Sequence, residues 1–138
     1  MSNGPSNIVD LPQGSDLIQL SHEKKTNLTC KYVVIKCAEE ERLIFGPVVR
    51  FPYHANLVNK FCDMFEVAGG WEKQPDSFVI YDFKCNVVGG GWLEYCADHG
   101  AIRLYGASSA YGRFDHASAE QMLKQDPRFS VFSYEVVD

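Results

Sequence analysis

Ala55-Asn56-Leu57-Val58-Asn59-Lys60-Phe61-Cys62-Asp63-Met64-Phe65-Glu66-Val67 is the stretch that decides the fold class, because here the apolar period changes. Leu57, Val58, Phe61, Met64, Phe65 and Ala68 recur at the i, i+1, i+4, i+7, i+8 spacing of one helical face. The spacing predicts a helix over about residues 55–67. Gly69-Gly70 is expected to close it, since glycine accepts the left-handed geometry that helix ends favour.

Upstream, Lys31-Tyr32-Val33-Val34-Ile35-Lys36-Cys37 is rich in β-branched and aromatic residues over strand length and stops at the acidic cluster Glu39-Glu40-Glu41. Leu43 to Val49 reads as a second extended stretch, which Pro47 confines to an edge or a bulge. Downstream, Ser77 to Cys85, Trp92 to Cys96 and Ile102 to Tyr105 are strand-like, with Gly89-Gly90-Gly91 and Asp98-His99-Gly100 as turns of an antiparallel meander. Ser118-Ala119-Glu120-Gln121 has the form of a capping box, so a short second helix is expected to end before Pro127, with Met122 and Leu123 toward the core. Phe129 to Val137 alternates and reads as the last strand. Strands and helices interleave without regular βαβ units, which predicts an α+β fold: a mixed β-sheet flanked by two α-helices in a single compact domain over residues 28–138. Residues 1–27, with Gly4, Pro5, Pro12 and Gly14, read as a polar N-terminal arm that only Leu17, Ile18 and Leu20 could dock.

A hydrophobic share of 46% and a charged share of 22% in 138 residues place the chain with globular domains rather than disordered ones. No apolar run approaches the span of a bilayer, and the first residues lack a signal peptide's basic flank and apolar core, so a cytoplasmic or nuclear address is expected by default, cytoplasmic being the choice, without membrane association. A net charge of −5 argues against nucleic acid as a general partner. Cys30, Cys37, Cys62, Cys85 and Cys96 are odd in number and lack a C-x-x-C pair, so reduced core thiols are expected rather than a disulfide framework or a zinc site. Asn27-Leu28-Thr29 spells a glycosylation sequon, read as chance in a chain with no secretion signal.

Two features carry chemistry. In Phe51-Pro52-Tyr53-His54-Ala55 a histidine stands at the start of the amphipathic helix, where the first N–H groups have no internal partner and an anion is welcome. That positive pole disfavours imidazolium and leaves the histidine neutral and able to act as a base. The plainer alternative is a capping or surface histidine. In Leu104 to Arg113 a strand runs into a loop of small residues bounded by Gly106 and Gly112, the composition of an oxyanion-binding concavity or of an ordinary turn. Nearby cations, Lys31, Arg50, Arg103 and Arg113, are each ordinary solvated groups when taken alone. Together these features suggest a phosphate site, and the familiar phosphatase signatures can be checked against it. Cys37 and Arg42 are too close for a C-x-x-x-x-x-R loop, the R-H-G and D-x-D signatures are absent, and His22, His54, His99 and His116 have no paired metal-ligand spacing.

The chain resembles the eukaryotic phosphohistidine phosphatases, the Janus family, in four ordered places: Lys31 to Ile35, Tyr53-His54-Ala55, Gly89-Gly90-Gly91, and Tyr105-Gly106 through Ser108, Ala110-Tyr111-Gly112 and His116-Ala117. The resemblance spans roughly residues 30–135 and implies a mixed sheet flanked by two helices. It implies His54 as the catalytic histidine, Lys31 as the phosphate-binding lysine, and Ser108, Ser109 and Ala110 as the oxyanion loop, with a further N–H from Ala55. The implied reaction is hydrolysis of the P–N bond of phosphohistidine, or of phospholysine, with His54 as general base on water and no metal or other cofactor; attack by His54 itself on phosphorus is the chemical alternative. The partners implied are phosphohistidine-containing proteins or peptides, met by a monomer. Two departures stand out: Trp92 occupies the place after the triple glycine where the family commonly carries arginine, and Phe65 to Val79 is longer than in the animal enzymes. Arg50 is the candidate replacement for that arginine, or else a solvated residue at a strand end. His116 is expected to pack or cap the second helix. A non-catalytic phosphoprotein-binding module that keeps the anion pocket is the competing reading.

Overall fold

The computed structural model describes residues 8–10, 27–96 and 98–137. Six strands form one mixed sheet in the order β1-β3-β2-β6-β7-β8, with β1 Ile8–Asp10, β2 Leu28–Cys37, β3 Glu40–Pro47, β6 Cys85–Cys96, β7 Ala101–Tyr105 and β8 Ser133–Val136. The outer pairs β1–β3 and β7–β8 are parallel and the inner ones antiparallel. A separate hairpin pairs β4 Gly69–Lys73 with β5 Ser77–Ile80. Helix α1 spans His54–Phe65 and α2 spans His116–Lys124. Among the described residues the architecture is the expected α+β one, a mixed sheet with two helices.

The run of apolar residues in β2 is explained by burial on both faces. Cys30, Tyr32 and Val34 face the side that holds Ala119 and Leu123 of α2 with Phe129 and Phe132; Val33 and Ile35 face Ala55, Leu57, Val58 and Phe61 of α1. Each fully buried side chain of this size contributes about 1.5–3 kcal/mol. Among the described residues no helix is long and apolar enough to cross a membrane.

Several local expectations are corrected. The triple glycine is no turn: Gly89 to Gly91 lie inside the 12-residue strand β6. A Cβ on Gly90 would meet the Tyr32 carbonyl oxygen at 2.4 Å, and one on Gly91 would meet His116 at 2.6 Å, so glycine here permits close packing. The meander is confined to β6 and β7, because β5 pairs with β4 outside the main sheet. Helix α1 ends on Glu66, which takes the left-handed position at φ 57°, while Gly69-Gly70 open β4. Met64 and Phe65 of the predicted apolar face are exposed, and Phe65 instead stacks on Phe61 and under Arg42. Pro47 ends β3, which is covered on both edges. The cap of α2 is Asp115, whose carboxylate accepts from Ala117 N–H and Ser118 O–H, not Ser118. The last strand starts only at Ser133, because Asp126 winds the chain into a turn by accepting from Phe129 and Arg128 N–H.

Two further differences concern the ends of the sheet. Ile8–Asp10, the described part of the arm before Asn27, pairs with β3; Ile8 is buried there and its carbonyl accepts from Arg128, while Leu17, Ile18 and Leu20 lie outside the described residues. Cys37 and Cys85 form a disulfide, because the β2–β6 register sets them directly opposite each other. Cys62, buried, and Cys96, half-buried, are free thiols.

Candidate active site

His54 is the first residue of α1, held there by the cap: Tyr53 N–H donates to Asn56 Oδ1 at 2.9 Å. No acidic residue stands in the first turn, so the positive helix pole is left to other anions. The imidazole is 7% exposed, and its Nε2–H donates to the Gly91 carbonyl at 2.9 Å. A carbonyl can only accept, so the neutral ring carries its proton on Nε2 and keeps the Nδ1 lone pair. Burial is the main cause that lowers the His54 pKa to about 4; the Gly91 bond opposes it and the charge of Lys31 adds to it. The ring is thus neutral as expected, with burial rather than the helix pole as the main reason.

Lys31 projects from β2, its pKa lowered by burial. Its ammonium donates to the Pro52 carbonyl in the segment that leads into α1. It also sits 4.9 Å from the Trp92 ring centroid and 5.6 Å from that of Tyr53. Lys31 and Trp92 are register partners across β2 and β6, which puts their side chains side by side. Trp92 in turn stacks on Tyr105 at 6.1 Å and 19°. The residue after the triple glycine is therefore an aromatic surface for the lysine.

The loop from Gly106 to Gly112 begins and ends at positive φ, +71° and +87°, which glycine adopts without strain. Inside it Ser108 N–H donates to the Gly112 carbonyl at 3.2 Å, Gly112 N–H returns to the Ser108 carbonyl at 2.8 Å, and Tyr111 N–H donates to Ser108 Oγ at 3.0 Å. The Ser108 N–H is thus engaged within the loop. Among the described residues the N–H groups of Ser109 and Ala110 have no partner, and they are the donors available to an anion. The loop is tied to the triple glycine: Gly90 N–H donates to Gly112 and Phe114 N–H to Gly90. His116 bolts its start, donating Nε2–H to Gly106 at 2.8 Å and accepting the Tyr32 O–H on Nδ1 at 2.6 Å. The structural role expected of His116 is what this geometry shows.

A cavity of about 340 Å³ opens between these parts, lined by Lys31, Tyr53, His54, Asp76, Ser108, Ser109 and Ala110. It brings together Lys31, His54 and the three loop residues expected from the sequence. Ala55 is buried in the core between α1 and the sheet and does not line the cavity; its N–H belongs to the first helical turn, whose donors lack an internal acceptor. Arg50 is exposed in the turn after β3 and does not line the cavity. Tyr53 and Asp76 are additions that sequence reasoning missed. Tyr53 stood beside His54 in the motif, whereas Asp76 arrives through the β4–β5 hairpin with no local signal. Among the described residues no three His, Cys, Asp or Glu side chains group as metal ligands. The arrangement, one neutral base, one ammonium and several backbone donors around a small concavity, suits an oxyanion.

Two curated proteins are similar to part of the chain. The sex-regulated protein janus-A of Drosophila mauritiana is 28% identical over 67 residues, covering 49% of this chain and 50% of that protein. Its namesake in Drosophila simulans is 27% identical over 67 residues, with the same coverage. The aligned part of the chain spans about half the length of these relatives. Residues 19–133 match the Janus/Ocnus family (Ocnus), so the chain belongs to the Janus/Ocnus family.

Proposed function

We propose that the chain is a protein phosphohistidine phosphatase that hydrolyses the P–N bond without a metal, with His54 as general base. The observation that carries this reading is the cavity in which a neutral histidine, fixed by Gly91 and with Nδ1 unpartnered among the described residues, stands with Lys31 and the Ser108–Ala110 loop. The phosphoryl group docks against Lys31 and the N–H groups of Ser109, Ala110 and Ala55. Its spreading charge in a loose transition state is met by preorganised donors. Water then attacks phosphorus, gives one proton to Nδ1 of His54, and the nitrogen leaves with the electron pair of the broken P–N bond. A pKa of about 4 makes His54 a modest base, so electrostatic stabilisation carries the larger share of the acceleration. The substrates in this reading are phosphohistidine-containing proteins or peptides in the cytoplasm.

Phosphate release from a histidine-phosphorylated peptide tests the reading, run with and without chelator. Chelator-insensitive turnover is expected; loss on chelation that a divalent ion restores would rule out the metal-free route. One observation favours the second reading, a non-catalytic phosphoprotein-binding module: the position next to Lys31 holds the Trp92 ring rather than a guanidinium. Phosphopeptide binding by titration without any turnover would select that module.

A further inference from the structure

Catalysis as described leaves one wall of the cavity without a task. Asp76 lies in the turn between β4 and β5 and lines the same cavity as His54, Lys31 and Ser108. A carboxylate there repels a phosphoryl group and subtracts from the field of Lys31 and the loop N–H groups. Its ion pair with Lys73 does not remove the conflict, since the separation is 3.9 Å and the two side chains are 52% and 76% exposed.

The hairpin that carries Asp76 is held in place. Phe78 of β5 is buried against α1, with Trp71 of β4 edge-on to it at 5.3 Å. Tyr111 clasps the hairpin to the phosphate-binding loop: its O–H donates to the Phe78 carbonyl at 2.6 Å and its oxygen accepts from Phe78 N–H at 3.0 Å. The N–H of the same tyrosine is the one bound to Ser108 Oγ. Tyr111 thus joins the loop, next to Ala110 in the chain, to the hairpin at Phe78, two residues after Asp76.

Resting on the phosphoramidate reading, we propose that Asp76 determines specificity, favouring nitrogen-linked over oxygen-linked phosphoryl groups through its attraction for the positive charge on the nitrogen side. Phosphohistidine is hydrolysed in the form whose ring is protonated, and phospholysine in the form whose bridging nitrogen is protonated. Each then carries a cation beside the phosphoryl group, and a phosphate ester carries none. In the step itself the water oxygen bonds to phosphorus, one water proton passes to His54, and the P–N electron pair returns to a cationic nitrogen group that leaves neutral. Asp76 exchanges no proton and forms no bond. It raises the share of protonated substrate in the cavity and disfavours bare dianionic esters. The neighbouring negative charge that looks misplaced for phosphate alone is well placed for this pair of charges.

The test compares Asp76→Asn and Asp76→Glu with the parent chain on a histidine-phosphorylated peptide and on an aryl phosphate ester. Because Asp76 is half exposed, Asp76→Asn should lower kcat/KM for the peptide by about three- to tenfold, an effect that shrinks at high salt. The ester should turn over as fast or faster, inorganic phosphate should bind more tightly, and Asp76→Glu should keep the peptide rate. Equal losses on both substrates, or no change on either, would overturn the proposal. If the parent chain fails to turn over the peptide, the phosphatase reading falls. The preference of the His54→Ala protein for a phosphohistidine over a phosphoserine peptide, and its loss on adding Asp76→Asn, then decides the role of Asp76 separately.

Discussion

Both helices begin with a buried histidine that donates Nε2–H to a backbone carbonyl, His54 to Gly91 and His116 to Gly106. The other ring nitrogen separates them. In His116, Nδ1 accepts the buried Tyr32 hydroxyl, so the ring is a two-ended bolt between sheet and loop. In His54, Nδ1 has no partner among the described residues, and the ring borders the cavity. Sequence position, burial and the first hydrogen bond are shared, and the difference in chemistry rests on a single donor, the Tyr32 hydroxyl. A histidine whose hydrogen-bonding capacity is exhausted holds structure; one with a lone pair left over can take a proton.

The comparison breaks most visibly under alanine substitution. His54→Ala should reduce phosphate release from a histidine-phosphorylated peptide by about a hundred- to ten-thousandfold while lowering stability by only about 1 kcal/mol. His116→Ala should do the reverse. It strands the Tyr32 hydroxyl in the core and unties the Gly106 carbonyl at the start of the loop, so denaturant unfolding should show a loss of about 2–5 kcal/mol while the folded fraction keeps most of its turnover. Equal kinetic losses in the two variants would erase the distinction. If Lys31 holds the phosphoryl group as proposed, Lys31→Ala removes that charge-assisted contact, and kcat/KM should fall roughly ten- to a hundredfold in steady-state assays.

A pH dependence follows from the His54 environment. Its folded pKa of about 4 lies below the usual 6.5, so the unfolded chain binds the proton first. The stability present above pH 6.5 should therefore decline as pH falls toward 4, by about 2–3 kcal/mol from this group. Chemical denaturation at a series of pH values should show this decline, and His54→Gln should lose the part that the ring contributes. The smallest effect is expected at Arg50, exposed and outside the cavity, where alanine should change kcat/KM by less than about threefold. A tenfold loss would mean that its guanidinium reaches bound phosphate after all.

The residues that read well from the sequence are those whose surroundings are local. Lys31 to Cys37 had to be a strand because so many β-branched and aromatic residues in succession suit a strand buried on both faces, and residues 54–65 declare a helix through their period. His54 was marked by its place before that helix. The triple glycine misled because glycine signals a turn and a close backbone approach with the same letter, and only the contacts with Tyr32 and His116 tell them apart. Asp76 and the Cys37–Cys85 bond depend on which distant segments meet, a hairpin laid on α1 and a strand register, and neither leaves a local trace. Arg50 shows the converse: four residues from His54 along the chain, it still falls outside the cavity because the turn after β3 faces it to solvent.

The central claim is that His54 enters the reaction as a neutral ring with its proton on Nε2 and a free Nδ1. Nitrogen-15 NMR of the labelled imidazoles across a pH titration measures this directly. The account predicts a His54 ring in the Nε2–H form that titrates near 4 and whose Nδ1 resonance moves when phosphate is added. A His54 ring that titrates at or above the ordinary 6.5, or that carries its proton on Nδ1 at neutral pH, would contradict it.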